Sequence, residues 1–344
     1  MQWSWLVAQT SVRQLKRQQI EQFIEFCQNP PAAWLGRKHV ARFIEYEGLR
    51  QPNPAWRPFV VRASKKALRQ GLSIAAEDFQ LSQSALRAIF AVLSSFFNYL
   101  IQEDAMDTNP ILQLRQKSKF LRKQPTTQRV IRRLSELQWQ TVLAATQQLA
   151  EQHPEQHERS LFMMTAFYAM YLRISELAAT ARWEPQMGHF RQDHEGCWWF
   201  FTVGKGNKER QIAVSDQMLR ALKRYRQYLG LPPLPAIGET TPLMGKTRGK
   251  GGITSTRAIR QIVQQCFDHA IHRLTETGHS QEADRLLEAT VHWLRHTGIS
   301  DDVKTRPREH VRDDAGHSSS AITDRYIDVE LRERHASAKD KLVD

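Results

Sequence analysis

Residues 197–214 read CWWFFTVGKGNKERQIAV, and this stretch decides what kind of fold the chain can build. Cys197 to Val203 and Arg210 to Val214 are β-prone runs, and the Gly204-Lys205-Gly206-Asn207-Lys208-Glu209 segment between them has the composition of a hairpin turn. It is the one clear β signal in a chain whose other periodic segments are helical, so a mainly α fold with a small antiparallel sheet is expected. Upstream, Leu161 to Leu172 (LFMMTAFYAMYL) is an apolar run with Arg173 directly after it and Glu176 three residues on. A guanidinium at the edge of a core helix needs a partner, and an i,i+3 ion pair with Glu176 is the plainest one. Downstream, VHWLRH (291–296) puts His292 and Arg295 on one helical face, with Trp293 and Leu294 elsewhere on the wheel. Ala315-Gly316-His317-Ser318-Ser319 then offers a glycine at a helix C-terminus followed by an isolated histidine, and Tyr326 stands nine residues after His317.

The chain has 344 residues, which favours two domains and leaves room for a sizeable core. Apolar residues make up 41% and charged residues 25%, so neither disorder nor a fibrous protein is indicated. Forty-nine Lys and Arg against 36 Asp and Glu leave a net charge of +13, which on electrostatic grounds calls for a polyanionic partner. Nucleic acid fits better than an anionic membrane, because the cations are spread along the chain rather than gathered on one amphipathic helix. The longest uncharged apolar stretch, Ala88 to Ile101, reads as a core helix rather than a membrane span. The N-terminal MQWSWLVAQTSVRQ has no secretory pattern, and Cys27, Cys197 and Cys266 are few and far apart. Both features point to a cytoplasmic protein.

Further out, Val12–Cys27, Val40–Tyr46 and Ser82–Gln102 carry helical spacings, the last ending before the helix-breaking Asn109-Pro110. Residues 51–79 are basic, Pro-containing and irregular, read as an insertion lying on DNA. From Gln116 to Arg133 the sequence turns to Lys, Arg, Gln and Thr, as a basic interdomain linker does, and Ser135 is placed to cap the next helix. The expected organisation is therefore a helical first domain (1–117), a basic linker (118–134), a second domain (135–329) and a charged C-terminal tail (330–344).

Several chemistries drop out on spacing. GKTRGKGG (Gly245–Gly252) lacks the nucleotide P-loop pattern and reads as a loop touching phosphates through Lys246, Arg248 and Lys250. His189, His194 and Cys197 match no common metal-ligand spacing and read as solvated loop residues. Neither a GxSxG elbow nor an HExxH helix occurs.

In order and together, the remaining residues resemble the tyrosine recombinases, the phage-integrase-like enzymes. Arg173 in LRISEL matches the first arginine motif, Lys205 in VGKGNKER the hairpin lysine, and His292 and Arg295 in HWLRHT the His-x-x-Arg motif. His317 in AGHSS matches the His-or-Trp position, and Tyr326 the nucleophile. The resemblance implies a two-domain DNA clamp that needs neither cofactor nor metal. Tyr326 would form a 3′-phosphotyrosyl link while Arg173 and Arg295 bind the non-bridging oxygens. Lys205 would protonate the leaving 5′-oxygen, with Lys208 as its rival in the same turn. His292 would accept the tyrosine proton or donate to the phosphate, His317 would donate to the phosphate, and Glu176 would orient Arg173. The resemblance further implies double-stranded DNA with inverted-repeat core sites, a homotetramer passing through a Holliday junction, tails exchanged between protomers, and accessory DNA-bending proteins. A mobile-element role in integration, excision or cointegrate resolution would follow. A type IB topoisomerase shares the chemistry, and a non-catalytic DNA-binding relative would share the fold. Three departures stand out: the long Arg173–Lys205 interval, the length added by Leu274–Glu288, and Asp313-Asp314 where many relatives are apolar.

Overall fold

A computed structural model of the chain describes residues 2–61, 65, 67, 79–117, 132–204 and 208–326. Contacts divide the chain into two compact units, Met1–Arg129 and Val130–Asp344. The linker composition at 118–131 and the tail from residue 327 onward lie outside the described residues.

In the first unit, helices Gln2–Leu6, Arg17–Gln28, Gln83–Gln102 and Pro110–Lys117 surround a core of Trp3, Leu15, Ile20, Ile24, Leu86, Phe90, Phe97, Ile111 and Leu114. The Gln83–Gln102 helix starts where the Ser82 hydroxyl accepts from the Ala85 amide at 3.1 Å. By length and composition it could cross a membrane, but it buries a single stripe, Leu86, Phe90, Ser94 and Phe97, against the other helices. Asn109-Pro110 opens a helix instead of only ending one. Proline is tolerated at the first helical position, and the Asn109 carboxamide oxygen accepts from the Ile111 amide at 2.9 Å. The Val12–Cys27 pattern breaks near Leu15 into a 3-10 turn (Val12–Gln14) and the helix from Arg17.

The expected helix at 40–46 is not formed. Phe43–Tyr46 is a strand, paired antiparallel with Leu49–Pro52 through a two-residue turn. Glu47 and Gly48 both take positive φ (51° and 74°), the geometry that matches strand twist, so local turn chemistry overrides the weak helical spacing. A two-residue parallel pairing of Leu35–Gly36 with Phe59–Val60 closes the base of this ribbon, and Phe26 packs edge-on against Trp34 and Phe59 beneath it. Part of segment 51–79 is therefore regular: residues 51–52 and 59–60 are strand.

The second unit is built around the helix Pro154–Ala169, whose Phe162, Met163, Met164, Ala166 and Phe167 are all buried. A helix apolar on several faces belongs inside a bundle. Helices Glu136–Gln152, Asp216–Tyr228, Thr256–Glu276 and Val291–Asp302 pack around it. Ser135 caps the first of these, and Gln138, unnoticed in the sequence, completes a capping box by accepting from the Ser135 amide at 2.9 Å. The expected hairpin forms between Trp198–Val203 and Glu209–Ala213. A third strand, Phe190–Gln192, joins its open edge and uses up part of the long interval before Lys205.

One close approach sets the geometry of the site. A Cβ on Gly298 would sit 2.1 Å from the Tyr168 carbonyl oxygen, so the Val291–Asp302 helix can lie directly on the end of the Pro154–Ala169 helix only because residue 298 lacks a side chain. That crossing brings Arg295 to the segment Tyr171–Arg173.

Candidate active site

The helix Pro154–Ala169 ends at Met170, and Tyr171 takes a left-handed backbone conformation (φ 49°) before Arg173 opens the short helix Ile174–Leu177. Left-handed geometry is unfavourable for an aromatic residue and persists only where the surroundings impose it. Here the Tyr171 hydroxyl donates to Asp302 and accepts from Arg306 at 3.0 Å, while its carbonyl accepts from Arg295. The strained residue thus places Arg173 beside the Arg295 helix.

Arg173 is held from both ends. Its amide donates to Glu176 Oε2 at 2.7 Å and its Nη1 to Glu176 Oε1 at 2.9 Å, while Nη2 reaches the Gly316 carbonyl at 3.3 Å. The expected Arg173–Glu176 pair is therefore present, with Glu176 fully buried and Arg173 partly open to solvent. Arg295, 2% exposed, donates to the carbonyls of Tyr171 and Ala315, the latter at 2.5 Å. Burial first, and then the nearby Arg173 and Arg210 guanidiniums, push its pKa down to about 9.

The turn after Arg308–Ala315 presents His317. Gly316 adopts φ 61°, and the amides of Gly316 and His317 donate back to the Asp313 and Arg312 carbonyls, closing the helix end. The His317 ring sits 2.9 Å from the Thr323 hydroxyl through Nδ1 and stacks on Tyr326, with ring centroids 5.6 Å apart and planes at 15°. Tyr326 also stacks on His296, centroids 5.1 Å apart, and His296 in turn meets His292 edge-on at 4.2 Å. Tyr326 is 7% exposed. Burial holds both His296 and His317 down at about 4 and lowers His292 as well, so the two rings stacked on the tyrosine are neutral at physiological pH.

Arg173, Glu176, Arg295, His317 and Tyr326 thus come together from four separated segments, with His292 joined to them through His296. Lys205 lies outside the described residues, and the described residue before it, Gly204, lies against Glu176 and Arg173. A Cβ on Gly204 would lie 3.2 Å from Glu176 Oε1 and 3.4 Å from Arg173 Nη1, and the Gly204 amide donates to the Lys208 carbonyl at 2.8 Å. Lys208 itself is exposed. Lys246, Arg248 and Lys250 stand exposed on a tight loop closed by the Gly245–Gly252 bridge; among the described residues no hydrogen bond or ion pair joins them to the arginine cluster.

One sequence reading is corrected. His189 is not a solvated loop residue: its ring stacks on Trp183 at 4.7 Å and Nδ1 accepts from the Gln186 amide at 3.1 Å. At the Asp313-Asp314 departure, Asp314 is buried with partners. It is 5% exposed and accepts from Arg306 Nη2 at 2.5 Å and from the Ala213 amide at 3.1 Å, so its charge is paired. Two further neighbours, Arg210 and His296, were not singled out. Arg210 had a signal: on a strand with period two it shares the inward face with Ile212, where an unpaired cation would be costly. His296 follows Arg295 directly, on a helix face that only the docking of Tyr326 makes significant. Among the described residues, no group of three or more His, Cys, Asp or Glu side chains is arranged to hold a metal ion.

Residues 132–333, more than half of the chain, match the model of the phage integrase family. The chain belongs to this family. No curated protein matches it by sequence. Among solved structures it is similar to the XerH site-specific recombinase bound to palindromic difH in a post-cleavage complex (17% identity, 60% of this chain and 52% of that one, TM-score 0.43). It is similar also to a lambda integrase dimer bound to a COC′ core site (17% identity, 81% and 71%, TM-score 0.45). A third is the Tn1549 transposon integrase in complex with a circular-intermediate DNA (18% identity, 80% and 83%, TM-score 0.46). The chain spans about half the length of that XerH protein.

Proposed function

We propose that this integrase-family chain cuts and rejoins double-stranded DNA at inverted-repeat core sites, through a 3′-phosphotyrosyl intermediate and a Holliday junction, in the service of a mobile element. The observation that carries this reading is the convergence of two phosphate-binding guanidiniums, Arg173 and Arg295, on the His317 turn against which Tyr326 is stacked. Tyr326 Oη attacks the scissile phosphorus, the bond to the 5′-oxygen breaks, and the phosphodiester is conserved as a tyrosyl ester. The tyrosine proton passes to a neutral histidine, His292 being the first candidate, and Lys205 supplies a proton to the departing 5′-oxygen. Arg173 and Arg295 balance the charge that builds on the non-bridging oxygens. Exchange runs without metal or nucleotide, since guanidiniums do the electrostatic work that a divalent cation does elsewhere. The protein acts in the cytoplasm, on the nucleoid, as a homotetramer on synapsed DNA, with accessory DNA-bending proteins. Residues 1–117 form the core-binding domain and 135–329 the catalytic domain, joined by a basic linker; the tail 330–344 passes between protomers. Lys208, Lys246, Arg248 and Lys250 contact phosphates outside the scissile position.

The test uses nicked duplexes tiled across the DNA flanking the coding region, incubated with the full chain in EDTA and run on a denaturing gel. A covalent adduct with the native chain and none with Tyr326→Phe is expected, with sites still bound by the variant. An adduct surviving in the variant removes Tyr326 from the role, and a requirement for Mg²⁺ sinks the mechanism.

A further inference from the structure

Arg210 stands on the outgoing strand of the hairpin, at the end of the VGKGNKER stretch that carries Lys205, and the resemblance assigns it no role of its own. Its side chain is 8% exposed. Nη2 donates to Glu176 Oε2 at 2.6 Å and Nη1 to the Asp314 carbonyl at 2.5 Å. Its Cδ underlies the His317 turn so closely that a Cβ on Gly316 would come within 2.9 Å of it. Three successive carbonyls at this helix end are thereby shared among three arginines: Asp314 with Arg210, Ala315 with Arg295, and Gly316 with Arg173. These oxygens sit at the negative end of the Arg308–Ala315 helix, where cations are favoured. Asp314 returns the contact, its carboxylate accepting from the Ala213 amide on the same strand at 3.1 Å.

We infer that Arg210 is a positioning residue that holds Arg173, through the Glu176 carboxylate they share, in register with the His317 turn, through the Asp314 carbonyl. A guanidinium suits this task because its planar fork can satisfy a carboxylate and a carbonyl at once in fixed geometry, whereas an ammonium reaches them as a point charge. Arg173 and His317, which the fork holds in register, are the two groups proposed to meet the phosphate. Losing the bridge leaves both donors present but free to separate, and misplacement of about 1 Å costs roughly 100-fold in rate. The inference rests on the proposed cleavage chemistry.

The test measures single-turnover adduct formation and duplex affinity on the nicked flanking-DNA duplex that the native chain cleaves, for Arg210→Met, Arg210→Lys, Glu176→Gln and the Met/Gln double variant, with melting followed by circular dichroism. Expected is a rate order of native, then Lys, then Met, the last down by on the order of 100-fold, with affinity unchanged within about twofold. Because both residues act through one link, the double variant is no slower than its slower parent within about twofold. Native-like cleavage by Arg210→Met, a rate loss matched by a loss of affinity, or effects that multiply in the double variant would each overturn the inference. Should Arg210→Met fail to melt cooperatively, Arg210→Lys decides: a slow enzyme with native affinity supports the role, and native cleavage refutes it. Absence of any adduct with the native chain refutes the cleavage reading itself, and the inference with it.

Discussion

Replacing Arg295 with methionine separates what this residue does for the fold from what it does for catalysis. At 2% exposure it makes two hydrogen bonds, to the carbonyls of Tyr171 and Ala315. Hydrogen bonds from a charged donor contribute ~1.5–3 kcal/mol each, so their loss costs ~3–6 kcal/mol. The Tyr171 carbonyl keeps Arg210 at 3.5 Å, which puts the loss toward the lower end. Against this stands the cost of keeping the group charged. A guanidinium pushed from its ordinary range down to about 9, chiefly by burial and then by Arg173 and Arg210, carries a charging penalty of ~5 kcal/mol at neutral pH. Methionine removes that penalty while filling similar volume. The two effects offset to within ~2 kcal/mol, so the melting temperature of a unit this size should move by no more than ~8 °C in either direction. Cleavage should nonetheless fall by on the order of 10²–10³-fold, the usual cost of one preorganised donor to a transition-state oxyanion. Thermal melts and single-turnover adduct formation on the nicked duplex test both halves together. A collapse of the melting temperature well beyond that range would show that Arg295 is chiefly a structural pin, and cleavage at the native rate would show that its guanidinium never reaches the phosphate.

Two further outcomes follow from the same site. The unfolded chain takes up protons at His296 and His317 near pH 6.5, whereas the folded chain resists until about pH 4, so stability should fall as pH drops from 7 toward 4. Urea midpoints measured across that range should show the decline, with His317→Gln flattening it; a flat native profile would contradict the buried neutral rings. Lys205→Ala should be slow on ordinary DNA and substantially rescued by a 5′-bridging phosphorothiolate, whose sulfur leaves without protonation, whereas Arg173→Ala should not be; rescue of Lys208→Ala instead would move the general acid to Lys208.

The helical character, the hairpin and the arginine–histidine–tyrosine series were readable along the chain because each depends on spacing within about twenty residues or on residue order. The hairpin needed only two β-prone runs and a Gly-rich turn; the Arg173–Glu176 pair needed only an i,i+3 interval. The ribbon at Phe43–Pro52 was misread because four exposed residues carry almost no burial pattern, so the positive-φ turn at Glu47-Gly48 outweighed it. The strand Phe190–Gln192 is too short to show alternation and is recruited by a neighbour already in place.

The sequence by itself determined the family and the order of the groups it brings to the site, two arginines, isolated histidines and a late tyrosine in a cation-rich chain. Only the tertiary structure decided how those groups are held. Gly298 must meet the Tyr168 carbonyl before Arg295 can reach Tyr171, and Asp314 becomes a paired charge only when Arg306 and the Ala213 amide close on it. Arg210 acquires its partners from residues 34 positions before it and 104 after it. Such contacts are made by loop closure and burial across the whole second unit, and desolvation, which turns an ordinary guanidinium into a committed donor and an ordinary histidine into a neutral ring, exists only once that burial has occurred.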